Sequence, residues 1–141
     1  MTIPAAKLTD EIVYALDIDS RMLNVIDSKA KAEDIKNIKL IQGNINCIPM
    51  DDNSVDIALA SLILHEVTPL SPSLIQINRV LKAGGYILCM EYEKEESAVQ
   101  GPPMHIRISS EKMEKELISA EFHIVQKIFL GESIYIIIAR K

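Results

Sequence analysis

Ile12-Val-Tyr-Ala-Leu-Asp-Ile-Asp-Ser20 is the stretch whose reading decides the fold. Ile12–Leu16 is almost continuously apolar, which reads as a short parallel strand covered on both faces. The run ends in Asp17, and Asp19 or Ser20 can cap a helix that follows at once. Strand, acid and helix in that order belong to an open α/β sheet, where ligands sit at the carboxyl ends of strands. Asp17 is therefore the first candidate binding residue. No glycine precedes this strand in the chain, although a nucleotide site of this kind ordinarily has a glycine loop upstream.

Working outward, Pro4–Leu8 reads as the tail of a helix and Thr9–Glu11 as a turn. Met22, Leu23, Val25 and Ile26 give the helix after Asp17 an apolar face, with Arg21, Asp27, Lys29 and Lys31 on the wet side. Ile38–Ile41 is a second strand and Gly43–Asn53 a polar loop. Val55–Leu64 is the longest apolar run, and its first half reads as the central buried strand. Thr68–Ser73, with two prolines, reads as a loop. Leu74–Lys82 reads as a helix, with Gly84 as its C-cap and Gly85 as a tight entry to a fourth strand, Tyr86–Met90.

Glu91–Ile108 reads as a long polar loop, of the kind that is functional or mobile. Its acidic run Glu91–Glu96 reads as solvated, with no metal role. Ser109 caps a last helix with Met113, Leu117 and Ala120 inward. Ile124–Leu130 and Ile134–Ala139 then form an antiparallel hairpin through Gly131-Glu132-Ser133. Alternating strands and helices predict an α/β fold with a mostly parallel sheet and helices on its faces.

Composition narrows the class. A chain of 141 residues fits one domain with a real core. The net charge of -5 is spread along the sequence without a basic stripe, which argues against nucleic-acid binding. Cys47 and Cys89 form no CxxC pair and read as buried, reduced thiols of a cytoplasmic protein. The first residues carry no signal-peptide pattern, and the longest apolar runs are too short to span a bilayer. No His/Cys/Asp cluster has metal-ligand spacing.

Several stretches, in the right order, resemble the class I S-adenosylmethionine-dependent methyltransferases of the small-molecule, type 11 or UbiE-like kind. Val13–Leu23 resembles that family's second strand and its acid. Ile41–Asp56 resembles its adenine loop leading into the fourth strand, and Leu62–Val67 the segment after that strand. Arg79–Leu88 resembles its helix-to-fifth-strand turn, and the terminal hairpin its antiparallel seventh strand. The resemblance implies a Rossmann-like sheet with helices on both faces, S-adenosylmethionine as cofactor and a small-molecule acceptor. The family begins with a strand and a Gly-x-Gly-x-Gly loop, and Met1–Leu8 resembles the helix after that loop. The expectation is an N-terminally truncated domain that keeps the adenosine half of the site and lacks the loop that grips the methionine half.

The resemblance assigns roles residue by residue, each beside a plainer reading. Asp17 would accept hydrogen bonds from the ribose hydroxyls, or is a turn acid that caps the helix. Ile18 would pack on the adenine face, or is core. Asn44 would accept from the adenine amino group through its carbonyl oxygen and Ile45 would offer its backbone N–H, or both belong to an ordinary loop. By the resemblance, Ser61–His65 lies where cofactor and acceptor would meet, with Ser61 among the cofactor-binding residues. His65 is either a base or acceptor-orienting group, or a structural hydrogen-bonder. His105 and Arg107 lie in the loop that in relatives covers the acceptor pocket. Arg107 would hold an anionic acceptor or is a surface residue. No catalytic residue is assigned.

Without the family's first strand, Ile12–Leu16 and Val55–Ala60 either close up or leave edges that pair with a second chain; the expectation is a homo-oligomer, most simply a symmetric dimer. The alternative function is a non-catalytic, methyltransferase-like remnant acting as a dimerisation or interaction module. A third reading is a protein that uses Asp17 for another ribose ligand.

Overall fold

The computed structural model describes residues 1–94, 101–131 and 133–141. Contacts divide the chain into two compact units, Met1–Pro49 and Met50–Lys141. In the first unit, α1 (Thr2–Ala6) precedes β1 (Val13–Asp17), α2 (Ser20–Ala32) and β2 (Ile38–Gln42). β1 and β2 run parallel, with Val13 opposite Ile38 and Asp17 opposite Gln42. The Asn37 side-chain amide ties the entry to this ladder by donating to the carbonyls of Ala6, Thr9 and Glu11 at 2.8–3.0 Å. Asp19 is the N-cap of α2, its carboxylate accepting the Arg21 N–H at 2.8 Å. α2 ends in a Schellman arrangement: Ile35 donates to the Ala30 carbonyl at 2.8 Å and Asp34 takes φ 51°.

The core of this unit is thinner than its apolar pattern implied. Ala6, Ala15, Leu23 and Ala30 are buried, but Met22, Val25, Ile12 and Tyr14 are exposed. β1 is thus not covered on both faces among the described residues. Of the apolar face expected for α2, Leu23 is the buried member.

The second unit holds β3 (Val55–Ser61), a 3-10 turn (Leu64–Glu66), α3 (Leu70–Val80), β4 (Leu81–Tyr92), α4 (Ser110–Ser119), β5 (His123–Leu130) and β6 (Ile134–Arg140). Its sheet order is β3-β4-β6-β5. β3 lies parallel to β4, whereas β6 lies antiparallel to both β4 and β5. The hairpin expected at the end of the chain is thereby present; Glu132 of its turn lies outside the described residues. Alternation along β4 and β6 buries Ile87, Cys89, Tyr135, Ile137 and Ala139, and Leu74, Ile77, Met113 and Leu117 of α3 and α4 complete the core.

Two boundaries differ from the sequence reading. α3 starts at Leu70 rather than Leu74, so part of the expected Thr68–Ser73 loop is helical. Pro72 falls in the first turn, where amides have no intrahelical partner and a missing N–H costs nothing. β4 runs from Leu81 to Tyr92, beyond the expected Tyr86–Met90, and absorbs Gly84 and Gly85. The C-cap of α3 is Leu81, not Gly84. A Cβ on Gly85 would stand 2.8 Å from the Asp56 carbonyl oxygen, so this position is held by close backbone approach. Among the described residues β1 pairs with β2 alone and β3 with β4 alone, so β3 is an edge of its sheet and not the central buried strand expected there, and Ile57 and Leu59 are exposed.

Candidate cofactor and acceptor sites

In the first unit, Asp17 ends β1 half-buried. Its Oδ1 accepts the Asp19 N–H at 2.8 Å, which shapes the turn into α2. The helix cap itself is Asp19, so the helix-capping reading of Asp17 is replaced by a turn-shaping one. Ile18, next in the chain, is 67% exposed, which removes the core reading of that residue. The Asp17 carbonyl accepts the Gly43 N–H at 3.0 Å, bringing the loop after β2 to the end of β1. A Cβ at Gly43 would meet Pro49 Cδ at 2.8 Å, so that glycine answers to loop packing.

Asn44 is exposed on this loop, and its Oδ1 accepts the Asn46 N–H at 2.8 Å. One lone pair of that oxygen is therefore spent on the loop and one remains. Asp17, Ile18, Asn44 and Ile45 all belong to the first unit, and Ser61, at the end of β3, belongs to the second. A half-buried carboxylate with one oxygen used in the turn, beside an exposed apolar residue and a polar loop, fits the ribose and adenine ends of an adenosine group. The glycines of the chain, at 43, 84, 85, 101 and 131, supply no Gly-x-Gly run to fit the amino-acid end.

The second unit contains a group that the sequence reading missed. Glu91 was expected in a solvated loop, but it lies on β4 and is 1% exposed. Its Oε1 accepts the Leu64 N–H at 2.7 Å and its Oε2 stands 2.7 Å from His65 Nδ1. A carboxylate that takes backbone donors on one oxygen acts as an acceptor on the other, so Nδ1 donates and Nε2 carries the lone pair. The His65 side chain is 7% exposed, with Glu66 the nearest acid to Nε2 at 3.9 Å. Period-two alternation from Ile87 through Cys89 places Glu91 on the inward face, a signal available in the sequence. Burial first, and the Glu91 charge second, push the Cys89 thiol up to about 12. The Tyr135 phenol is raised for the same reasons and donates to the Ile108 carbonyl at 2.9 Å.

Glu93 also departs from the solvated reading: its carboxylate accepts the Ser110 N–H at 3.1 and 3.2 Å, at the start of α4. Residues 95 and 96 of the same acidic run lie outside the described residues. Arg107 is buried rather than on the surface. Its Nε donates to the Pro102 carbonyl at 2.8 Å, Nη1 donates to the Glu93 carbonyl at 3.3 Å, and its guanidinium stands 5.5 Å from the Tyr92 ring centroid. His65, His105 and Arg107, distant in sequence, line one cavity of about 500 Å3 within this unit. Cys47 is exposed, correcting the expectation of two buried thiols; Cys89 is buried. Among the described residues, no helix is long and apolar enough to cross a membrane.

Comparison with known proteins places this geometry. The family described as "Methyltransferase domain" matches residues 1–89. A demethylmenaquinone methyltransferase of Geobacillus stearothermophilus is 39% identical over 79 residues, covering 56% of this chain and 34% of that protein. The chain thus spans about a third of the length of the curated relatives it matches. A SAM dependent methyltransferase from Aquifex aeolicus superposes with a TM-score of 0.90 at 26% identity, over 98% of this chain and 74% of that one. The [4+2]-cyclase SpnF superposes at 0.88 with 17% identity, over 99% of this chain and 69% of that one, which shows a shared fold alone. The fold is the Rossmann-like α/β fold of these neighbours. This chain belongs to the class I S-adenosylmethionine-dependent methyltransferase family.

Proposed function

We propose that the chain supplies the adenosine-binding and acceptor-binding parts of a methyltransferase acting on a small molecule. The observation that carries this reading is the end of β1. Asp17 keeps one carboxylate oxygen outside the turn, with exposed Ile18 and the loop of Asn44 and Ile45 beside it. Asp17 would hold the ribose hydroxyls, Ile18 would cover an adenine face, and Asn44 and Ile45 would meet the adenine edge. Ser61 would lie toward the transferring end. When bound, S-adenosylmethionine supplies a methyl group already activated on sulfur.

The chain's own residues would do the rest. His65 Nε2, oriented through Nδ1 by Glu91, takes a proton from the acceptor. The cavity would bind the acceptor, and alignment of an acceptor with a methyl donor is worth roughly 7 to 11 kcal/mol. Without a Gly-x-Gly loop among these 141 residues, cofactor binding by the chain alone is expected to be weak.

A thermal-shift titration tests the reading. S-adenosylmethionine at millimolar concentration raises the melting temperature, and Asp17→Ala removes the rise. Absence of any shift would defeat the enzyme reading for this polypeptide. The edges of β1 and β3, which no described strand pairs, favour a second reading, a module that pairs with another copy of the chain. Light scattering at working concentration distinguishes it, since a monomer mass counts against dimerisation.

A further inference from the structure

We infer that the cavity beside His65 takes a small anion that also carries an ionisable hydroxyl, the hydroxyl lying on His65 Nε2 and the anionic end on Lys94 and Lys112. Naming this ligand as the methyl acceptor rests on the function proposed above; the binding chemistry does not. The volume, about 500 Å3, lies in the range of small-molecule sites and admits a one-ring molecule.

The wall is cationic in a chain of net charge -5. Among the described residues, Lys94, Arg107 and Lys112 line it against one acid, Glu116. Arg107 turns its guanidinium toward the Pro102 and Glu93 carbonyls and serves as wall. Lys94 and Lys112 are different. Neither forms an ion pair among the described residues, whereas Lys82 and Lys127 of the same unit do. Both are exposed on this wall, where two ammonium groups add to a positive potential that an anion would meet. The first amide of α4 is already taken by the Glu93 carboxylate, so the lysines are the remaining cationic contacts there.

The hydroxyl follows from His65. His65 lines the cavity with its side chain almost wholly buried, and with Nδ1 committed to Glu91, Nε2 is the ring nitrogen left to accept from a ligand. A ligand that fills this space leaves a buried lone pair unmet unless it donates a hydrogen there. A bare carboxylate has none to give, but a phenol or alcohol does.

Isosteric probes of charge -1, 0 and +1 test this: 4-hydroxyphenylacetate, its methyl ester and tyramine, titrated against the chain while the His65 imidazole resonances are followed by NMR. The expected result is movement of the His65 signals by 4-hydroxyphenylacetate, with binding at least tenfold tighter than that of the ester. Lys94→Gln with Lys112→Gln should erase that preference, and the Arg pair at the same positions should restore it. Equal or tighter binding of the ester or tyramine overturns the inference. So does a preference that survives the double Gln substitution, or a failure of all three probes to bind. Selective binding of 4-hydroxyphenylacetate by a chain whose melting temperature does not respond to millimolar S-adenosylmethionine would instead overturn the functional reading and leave the anion site standing.

Discussion

Glu91 Oε2 lies 2.7 Å from His65 Nδ1, a contact between the end of β4 and the 3-10 turn after β3. With the Leu64 N–H on its other oxygen, Glu91 fixes both the turn and the tautomer of the ring it presents. Glu91→Ala strands a buried backbone donor and a buried imidazole. Each unmet group costs roughly 1 to 3 kcal/mol, so a loss of about 2 to 6 kcal/mol is expected in urea unfolding. Glu91→Gln keeps an acceptor for Leu64 and should lose less than half as much.

The hydrogen-bonding order also predicts a split between stability and chemistry. In Glu91→Gln the amide oxygen can still accept from a backbone N–H, but the amide nitrogen beside Nδ1 is a donor. That favours the tautomer with the proton on Nε2. Any methyl transfer requiring a base should therefore fall at least tenfold in kcat with little change in folding. Equal losses in both would place Glu91 in a purely structural role.

Thiol accessibility separates the two cysteines. Cys47 is exposed and Cys89 buried, so a thiol reagent should modify one cysteine in the native chain and both in denaturant. The Cys89 thiol also sets a pH dependence. It is held up to about 12 in the fold against 9.0 unperturbed. Above pH 9 the unfolded state loses this proton while the folded state keeps it, so the unfolded state binds fewer protons and stability falls as pH rises. The slope approaches about 1.4 kcal/mol per pH unit between those values, and Tyr135 adds to it at the upper end. Urea midpoints from pH 8 to 11, with and without Cys89→Ala, measure the share.

Two helix ends carry left-handed residues that are not glycine. Glu121 takes φ 65° after α4, with Phe122 donating to the Leu117 carbonyl at 3.0 Å. The left-handed conformation costs an L-residue roughly 1 to 2 kcal/mol, partly offset by the roughly 0.5 to 1 kcal/mol of chain entropy that glycine loses. Glu121→Gly is expected to stabilise by about 0.5 to 1 kcal/mol, read as a higher melting temperature. Gly85→Ala should do the reverse, by roughly 1 to 3 kcal/mol, because its Cβ would press on the Asp56 carbonyl oxygen at 2.8 Å.

The order of strands and the β1 acid were legible because periodicity and turn chemistry are local. Ile12–Leu16 reads as a strand and Asp19 or Ser20 as a cap, and the structure has β1 at Val13–Asp17 with Asp19 as the cap. What local reading missed was set by partners far along the chain. Glu91 and Glu93 lie in an acidic run that looks solvated, yet Leu64, His65 and Ser110 supply the donors that bury or fix them. Arg107 likewise looked like a surface cation until the Pro102 and Glu93 carbonyls met it. Met22 and Val25 failed in the other direction, since an apolar stripe says which face wants cover without supplying the cover.

The central claim is that the end of β1 is an adenosine site. Backbone amide resonances followed by NMR during titration with S-adenosylmethionine test it most directly. The account predicts shifts at Asp17, Ile18, Asn44 and Ile45 that saturate together and vanish in Asp17→Ala. Saturating cofactor that leaves those four amides unmoved, whether or not others respond, would contradict it.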